Sequence, residues 1–537
     1  HPLQKIEALN SHQYSISFLH FKIYCSSKLN SNLFSSIALF VLVIASINYS
    51  NLATARSIKR SKETGVRKVM GSTRTQLVFF FLLESAFYCL LALSLALLVS
   101  WLLLPHFNEL VDKQLVLDLF SRKIIIPLLF FTILCAVIGG AYPALILSSQ
   151  NPAIVFRGMA KAGNRTILMR RALVVIQFIL SIGLLSGTFV IQRQLEYIET
   201  KNLGYEKEKI ISFTLIRKIR QNYIAIKNEL LALPAVKSVT ANNQSISFND
   251  SWTDSFSWEG KSPDDNRIFH QLIVDVDFLK TFNITLAAGR EFSADLVSDS
   301  SSLLINEETA TQMGLVDPVN KVVKLQDKDY TIVGIVKNFH FKSIHKKIEP
   351  LLLYTDPASF YQISIKLNNG NVPEQLKAIE AVFKKFTPDR PFDYTFLEDD
   401  IQKTYTTENR IGKIFVYFTS LAIFISCLGL LGIILFVTEQ RAKELAIRKV
   451  LGSPVYKLIL LLSVEYIVMT IVGFVIAAPL MYYAMGKWLN NFAYRAEISI
   501  SLFLIAGGVT VLITWLTVAY RSYQAATDNP VKSLRSE

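Results

Sequence analysis

The chain has 537 residues, of which 51% are hydrophobic and only 18% are charged, and its mean hydropathy is +0.36. A soluble domain is nearer to one quarter charged, so this composition excludes an ordinary soluble protein and is typical of a membrane protein. The net charge of +14 raises nucleic-acid binding as an alternative. The basic residues nevertheless cluster beside apolar runs, which indicates membrane topology rather than a DNA-binding face, and we expect no nucleic-acid partner.

Seven stretches are apolar enough and long enough to cross a hydrocarbon core, which takes about 20 residues in a helix. The predicted spans lie near residues 33–54, 77–104, 123–147, 172–192, 412–437, 458–485 and 501–520. Lysine and arginine are concentrated in the loops after the first, third and fifth spans and in the tail. Because short cytoplasmic loops carry the excess of positive charge, we predict that this chain starts outside the membrane and ends in the cytoplasm.

The same topology places residues 193–411 outside the membrane, as a domain of roughly 220 residues, which is within the usual size range. Helical patterns at 221–233 and 373–386 each lie between two predicted strands. These two strand–helix–strand units predict an α+β domain with a ferredoxin-like βαβ subdomain, and residues 245–355 are predicted to form a strand-rich lobe. Short β-branched runs predict the strands at 209–215, 236–241, 272–276, 302–305, 330–336, 363–367 and 392–396.

A short basic stretch occurs twice, at Glu63–Ser72 and at Glu444–Ser453, each time between two predicted spans. A pattern of this length that returns late in a chain is an internal repeat. Apolar and charged residues alternate at helical spacing before a glycine, which predicts two amphipathic helices along the cytoplasmic membrane surface. A basic anchor on anionic lipid would explain one such helix, but it does not require the same order twice. The candidate coupling residues are therefore Glu63, Arg67, Lys68, Val69, Gly71, Glu444, Arg448, Lys449, Val450 and Gly452.

Each basic stretch is followed by a span that carries a glutamate at the same offset, Glu84 in the first case and Glu465 in the second. A carboxylate at the bilayer centre costs on the order of 3 kcal/mol, and less near an interface. Each glutamate is therefore expected to face an arginine or lysine, either of its own basic helix or of a neighbouring span. Two interpretations stay open: a clasp that makes the basic helix and the span move together, and a static interfacial pair.

The repeat extends to the ends of two span triplets, because Asn151-Pro152 follows the third span and Asn529-Pro530 follows the seventh. Spans one to three therefore match spans five to seven. The fourth span and the outer domain have no preceding counterpart, so the repeat predicts a further span and a first outer domain ahead of them. The predicted divisions are a remnant at 1–32, three-span units at 33–160 and 412–537, a connecting span at 161–192 and the outer domain at 193–411.

Several motifs together resemble a known family. The stretch Ile47–Leu52, the paired Glu-x3-Arg-Lys-Val-x-Gly-Ser segments and the Asn-Pro-x4-Arg ends resemble FtsX-like ABC transporter permeases. The resemblance covers essentially the whole chain and is strongest for tandem permeases with two FtsX units in one polypeptide. In the outer domain, the motifs that resemble the MacB-type periplasmic core domain are Gly289-Arg290-Glu291-Phe292, Ile305-Asn306-Glu307, Asp317-Pro318 and Ile332-Val333-Gly334-Ile335-Val336.

The resemblance implies that Glu63–Ser72 and Glu444–Ser453 are cytoplasmic coupling helices that dock on a pair of ATP-binding subunits. It also implies that the periplasmic domain handles substrate or binds a partner. The chain carries no Gly-x4-Gly-Lys-Ser/Thr motif for a nucleotide phosphate. ATP and magnesium are therefore expected on a separate ATPase, and the chain itself is not expected to be an enzyme or to bind a cofactor or a metal.

The expected function is that of a permease in the bacterial inner membrane, which couples ATP hydrolysis to rearrangement of the periplasmic domain and serves export or efflux from the periplasm or outer leaflet. The expected partners are the ATPase pair and the lipid membrane, with a periplasmic adaptor or outer-membrane protein in addition. Two alternatives remain: a non-transporting regulator of a cell-envelope enzyme or signalling partner, and a lipoprotein-extraction permease. The spans are expected to have no polar lining and no proton or ion relay.

Overall fold

The computed structural model describes residues 35–52, 61–112, 114–119, 121–149, 164–215, 217–262 and 264–527. The remnant predicted at 1–32 and the two Asn-Pro ends lie outside these residues. The chain divides into two compact units, which we call the membrane unit and the outer unit. The membrane unit comprises His1–Arg193, Arg410–Gly486 and Glu497–Glu537, and the outer unit comprises Gln194–Asn409 and Lys487–Ala496.

The helices are numbered in chain order. Those of the membrane unit, or that begin or end in it, are α1 (Ser35–Leu52), α2 (Ser61–Val69), α3 (Arg74–Val111), α4 (Arg122–Ser149), α5 (Asn164–Thr200), α12 (Thr406–Gln440), α13 (Ala442–Val450), α14 (Val455–Leu489) and α15 (Ile500–Thr527). Those of the outer unit alone are α6 (Arg217–Gln221), α7 (Tyr223–Leu231), α8 (Phe278–Phe282), α9 (Glu307–Met313), α10 (Val372–Phe386) and α11 (Leu397–Thr404).

Six helices among the described residues are long and apolar enough to cross a membrane, namely α1, α3, α5, α12, α14 and α15. They correspond to six of the seven predicted spans. The seventh stretch, near 123–147, forms α4, which packs along α3. The chain is therefore a multi-helix membrane protein, and the count of seven spans stays a prediction.

The best-packed part of the membrane unit joins α5, α12 and α14. Phe178 and Ile182 of α5 are buried against Ile433 of α12 and Tyr466 of α14. Gly473 of α14 permits this approach, because a Cβ at that position would lie 2.9 Å from Cβ of Phe178. Small residues at such contacts are usual in membrane helices. In lipid the hydrophobic effect does not drive helices together, so the helices associate through the van der Waals contact that close backbone approach permits.

The outer unit contains two sheets. Their strands are β1 (Ile210–Thr214), β2 (Val236–Asn242), β3 (Trp252–Thr253), β4 (Phe256–Ser257), β5 (Phe269–Ile273), β6 (Leu286–Gly289), β7 (Ser302–Asn306), β8 (Val322–Leu325), β9 (Lys328–Val336), β10 (Leu351–Tyr354), β11 (Gln362–Leu367) and β12 (Thr395–Phe396). The sequence predicted β1, β2, β7, β9 and β11 closely. It placed β5 three residues too late and β12 too long, and it missed the short strands β3, β4, β6, β8 and β10.

The smaller sheet has four antiparallel strands in the order β12-β1-β11-β2. Helices α6 and α7 connect β1 to β2, and α10 connects β11 to β12. The apolar sides of α7 and α10 pack on this sheet, with Ile226, Leu230, Ile379 and Phe383 in one buried cluster. Pro373 occupies the first turn of α10, where a missing amide hydrogen costs nothing.

The larger sheet has eight strands, and its two end strands are neighbours in the chain. Its strand order is β3-β5-β10-β7-β9-β8-β4, with β6 paired to β9. Only Asp254 and Ser255 separate β3 from β4, so the two ends of this order are consecutive in the chain. The interior is filled by aromatic and aliphatic side chains, among them Phe256, Phe269, Leu303, Ile332 and Leu352.

The outer-domain sequence motifs have structural roles in this larger sheet. Gly289 and Gly334, each from a different motif, are register partners on β6 and β9. Gly289 has a φ of +79°, and a Cβ there would overlap the carbonyl of Val333. Asn306 is fully buried, caps α9 by accepting from the amide of Thr309, and accepts a second bond from the amide of Leu351. The two glycines therefore allow β6 to pair closely with β9, and Asn306 fixes the start of α9 beside β10.

The outer unit includes the segment Lys487–Ala496, which connects α14 to α15 and which sequence patterns alone had left with the spans. The side-chain amide of Gln194 donates to the carbonyl of Tyr494 at 3.0 Å and accepts from the amide of Ala496 at 2.7 Å. The Phe492 and His345 rings are 4.7 Å apart. The segment is therefore held by directed contacts that composition could not reveal.

Candidate coupling sites

The two basic stretches form the short helices α2 and α13. Each contains an ion pair one turn apart, with Arg67 2.9 Å from Glu63 and Arg448 2.7 Å from Glu444. An acid four residues before a base supports an isolated helix by about 0.3–0.5 kcal/mol, and the charges also complement the helix dipole. Each acid lies in the first turn and each base in the last.

The two helices also end in the same way. Gly71 and Gly452 have φ values of +98° and +87°, the left-handed region that a glycine adopts without strain. The amides of Ser72 and Ser453 donate to the carbonyls of Arg67 and Arg448 respectively. This is the Schellman arrangement, in which an amide beyond the glycine satisfies a carbonyl of the last turn.

The exposure of the two stretches matches position by position along all ten residues, Glu63–Ser72 and Glu444–Ser453. Only the second and third positions are buried, Thr64 with its neighbouring glycine in one case and Leu445 with its neighbouring alanine in the other. The exposed apolar side chains are Val66, Val69 and Met70 in the first stretch and Ile447, Val450 and Leu451 in the second. Because the protein buries the same narrow stripe in both cases, the basic and apolar residues are presented outward twice.

The packing partners of the two helices are also equivalent. Helix α2 contacts α4, and α13 contacts α15. The α2 helix has an additional contact, because the guanidinium of Arg67 lies 4.2 Å from the centre of the Phe80 ring in α3. A cation over an aromatic ring contributes about 0.5–1 kcal/mol at an exposed site.

The glutamate of the second repeat pairs with a neighbouring span. Glu465 of α14 lies 2.8 Å from Arg171 of α5, so this contact joins α14 to α5 and does not join α14 to α13. Of the two partners left open by the sequence, the neighbouring span is the observed one. Glu84 of α3 is half-buried and lies close enough to Tyr49 of α1 for the two side chains to interact electrostatically.

Buried polar side chains also occur between two of the described spans. The hydroxyls of Ser181 and Ser426 are 2.8 Å apart, and those of Thr188 and Thr419 are 2.8 Å apart. These side chains are uncharged and satisfy one another between α5 and α12, so they fix the register of two helices. In the part of the chain that the structure describes, no group of three or more His, Cys, Asp or Glu side chains could hold a metal ion.

Two family models match the chain. The model for the FtsX-like permease C-terminal domain matches residues 35–152 and 416–530, and the model for the MacB-like periplasmic core domain matches residues 176–381. The chain is an FtsX-like permease with a MacB-like periplasmic core domain. The two FtsX matches contain α2 and α13 respectively, so each candidate coupling helix lies in its own FtsX unit.

Known relatives match parts of this permease. The macrolide export ATP-binding/permease protein MacB of Campylobacter fetus subsp. fetus is 25% identical over 267 residues, 47% of this chain and 41% of that protein. The Escherichia coli protein of the same name is 26% identical over 154 residues, 29% of this chain and 23% of that protein. An uncharacterized ABC transporter permease of Methanocaldococcus jannaschii is 28% identical over 125 residues, 23% of this chain and 31% of that protein. The matched part is less than half of each relative.

Solved structures are similar to part of the chain. The periplasmic region of MacB from Actinobacillus actinomycetemcomitans covers 38% of this chain and 96% of its own, at 15% identity and a TM-score of 0.28. The extracellular domain of the ABC-type transporter YknZ from Gram-positive bacteria covers 38% and 92%, at 13% identity and a TM-score of 0.24.

Proposed function

We propose that this permease is the membrane subunit of an ABC transporter of the bacterial inner membrane and that α2 and α13 dock on a pair of separate ATP-binding subunits. The observation that carries the proposal is the identical exposure of the two stretches, Glu63–Ser72 and Glu444–Ser453. Selection for a basic membrane anchor would preserve charge, but it would not preserve the same buried and exposed positions in both copies.

The chemistry of the two helices suits a protein partner. Met70 and Leu451 are 83% and 78% exposed, and each lies within one turn of the Arg-Lys pair of its own helix. Apolar anchors beside fixed charges are typical of interface hot spots, where the apolar group supplies burial and the charges supply orientation. Two such sites in one chain suit two nucleotide-binding subunits, which would hold the ATP and the magnesium.

Force would pass from the docked helices to the periplasmic side. Closure of the two ATP-binding subunits moves α2 and α13, and α13 continues directly from α12, which leads out of the outer unit. The Arg171–Glu465 pair joins α14 to α5, which leads into the outer unit. Rearrangement of the outer unit then serves export or efflux from the periplasm or outer leaflet, with an adaptor or outer-membrane protein as the exit partner.

The proposed topology has seven spans with the outer unit in the periplasm and the C-terminus in the cytoplasm. The concentration of lysine and arginine in alternate loops supports this orientation. We also propose that the four-stranded sheet is a ferredoxin-like βαβ subdomain. The strand order β12-β1-β11-β2 supports it, because each strand–helix–strand unit of that fold leaves room for one antiparallel strand between its two strands.

The test is charge reversal on the two helices of the full chain, purified from its native membrane. We expect the wild type to copurify with a protein that carries a Gly-x4-Gly-Lys-Ser/Thr motif and hydrolyses ATP. Arg67→Glu or Arg448→Glu alone should weaken this association, and both together should abolish it, because two linked sites bind far more tightly than one.

Lys384→Glu is the matched control, because Lys384 also forms an exposed ion pair one turn apart, with Glu380, but lies on α10 of the outer unit. It should leave the copurification unchanged. Docking on α2 and α13 is excluded if the double variant keeps the ATPase at the wild-type ratio, or if the control loses it to the same extent.

A further inference from the structure

Helices α1 and α12 contact each other at equivalent residues of the internal repeat. The offset that carries Glu63 onto Glu444 carries Asn48 of α1 onto Gly429 of α12. A Cβ at Gly429 would overlap the side chain of Asn48, so these two equivalent positions touch. Four residues later in α1, Leu52 packs in the same way against Gly432.

This register indicates a local two-fold axis through the contact. The contact advances in the same direction along both helices, from Asn48 and Gly429 to Leu52 and Gly432, so the helices run parallel. Parallel helices related by a two-fold axis meet their own equivalents only where the axis passes between them. A two-fold axis that relates the two repeats would therefore pass close to Asn48 and Gly429.

The contact itself is asymmetric. The amide of Asn48 donates to the carbonyl of Ile425 at 2.6 Å, and the Asn48 side chain fills the space beside Gly429. Asn48 is only 6% exposed, and its Oδ1 has no hydrogen-bond partner among the described residues. Two asparagines would not fit at the axis, and two glycines would leave a gap. One of each gives close packing and one interhelical hydrogen bond.

We propose that Asn48 and Gly429 form a positioning contact that sets the separation of α2 and α13. Helix α13 follows α12 with only Arg441 between them, and α2 follows α1 after eight residues that the structure does not describe. If the crossing of α1 and α12 is fixed, the distance between the ends of α1 and α12 that lead to α2 and α13 is fixed as well. This geometric effect depends on the contact alone, and its consequence for ATP hydrolysis rests on the proposed function.

Distance measurement between spin labels tests the geometric effect on the full chain in lipid nanodiscs. The labels replace Met70 and Leu451 in a background with the four native cysteines changed to alanine. The wild type should give one narrow distance distribution. Gly429→Ala should shift it outward by about 2 Å, the spread that side-chain size imposes on interhelical distances. Asn48→Ala should broaden it, since it removes the hydrogen bond without adding bulk.

The decisive variant exchanges the two residues, Asn48→Gly with Gly429→Asn. The two-fold relation places an asparagine at position 429 opposite the carbonyl of Ile44, the equivalent of Ile425, so the exchange should restore the narrow wild-type distribution. Gly508→Ala is the control, because no atom lies within 4 Å of the position that a Cβ would take on this α15 glycine. Asn48→Ala and the exchange keep the test valid if Gly429→Ala does not accumulate.

The proposal is overturned if the distance distribution of Asn48→Ala is as narrow as that of the wild type. It is also overturned if the distribution of the exchange variant differs from the wild type as much as those of the single variants do. A second arm measures ATP hydrolysis by the unlabelled permease with its copurified ATPase. There the single variants should lose about tenfold in permease-dependent rate and the exchange should regain it. Absence of any ATPase partner would defeat the proposed function and leave the distance result standing.

Discussion

At the scale of single residues, the outer unit depends on backbone positions that only glycine tolerates. Gly289 has both a left-handed backbone and no space for a Cβ, because the carbonyl of Val333 lies against it. Gly314 caps α9 with a similar φ of +69°, but nothing lies within 4 Å of its Cβ position. Substitution of Gly314 therefore tests the strain of a positive φ alone, whereas substitution of Gly289 tests that strain together with steric overlap.

Gly289→Ala is expected to lower the free energy of unfolding of the outer unit by at least about 3 kcal/mol, because overlap adds to the strain of a positive φ. Gly314→Ala should lower it by only about 1 kcal/mol. Pulse proteolysis of the full chain in urea, in detergent micelles, measures both. Equal losses would mean that the β6–β9 crossing relaxes to admit a methyl group.

His340 is a buried histidine of the outer unit. It is 6% exposed, and its ring makes a T-shaped contact with the ring of Tyr494, with 4.8 Å between the two centroids. Burial, assisted by the positive charge of Lys201, lowers the pKa of His340 from its ordinary 6.5 to about 4. The folded chain therefore keeps this imidazole neutral at pH values where the unfolded chain protonates it.

The outer unit should lose stability as the pH falls from about 6.5 to about 4, since only the unfolded chain gains a proton at His340 across this window. The loss due to this one group is on the order of 2–3 kcal/mol and is absent in His340→Gln. Pulse proteolysis at a series of pH values measures the slope for both proteins. Parallel slopes would show that His340 has the same pKa in the folded and unfolded chains, and would contradict the lowered pKa.

At the scale of elements, the two candidate coupling stretches differ at only four of ten positions, and the structure divides these differences by burial. Thr64 and Gly65 are replaced by Leu445 and Ala446 at the buried positions. Val66 and Met70 are replaced by Ile447 and Leu451 at exposed ones. The exposed positions thus keep apolar side chains of similar size in both stretches, whereas the buried positions differ in size and polarity because each packs against a different helix.

Exchanging the exposed pair, Val66→Ile with Met70→Leu, should change the stability of the membrane unit by less than about 0.5 kcal/mol. Exchanging the buried pair, Thr64→Leu with Gly65→Ala, should cost about 1–3 kcal/mol, because it adds methyl groups to a packed position. Thermal unfolding of the purified full chain compares the two. A buried exchange as mild as the exposed one would contradict the assigned packing.

At the scale of the whole molecule, the outer unit is assembled from two distant parts of the chain. Tyr494, in the segment between α14 and α15, contacts two side chains from the other part. The ammonium of Lys201 lies 3.3 Å from the centre of the Tyr494 ring, and the His340 ring makes a T-shaped contact with the same ring. A cation–π contact that is shielded from water contributes up to about 2 kcal/mol. Tyr494 is therefore the main side-chain anchor of this segment.

Tyr494→Ala should raise the rate of tryptic cleavage at the neighbouring Arg495 roughly tenfold or more, because the segment then opens without breaking the cation–π contact. Tyr361→Ala is the matched control, since Tyr361 is an outer-unit tyrosine with 54% exposure. Mass spectrometry of the timed digests locates the cleavage. An unchanged rate at Arg495 would assign the retention of the segment to its backbone bonds with Gln194.

The sequence by itself determined the family, the apolar helices and the two short basic helices, since these depend on local hydrophobicity, charge and repetition. It also predicted the long strands and both outer-unit helix patterns. Only the tertiary structure decided the strand order of the larger sheet, because its short strands carry too few residues for a periodic signal. Tertiary structure alone also paired Glu465 with Arg171, drew Lys487–Ala496 into the outer unit and set Asn48 against Gly429. Each of these joins residues far apart in the chain, and local patterns contain no information about such partners.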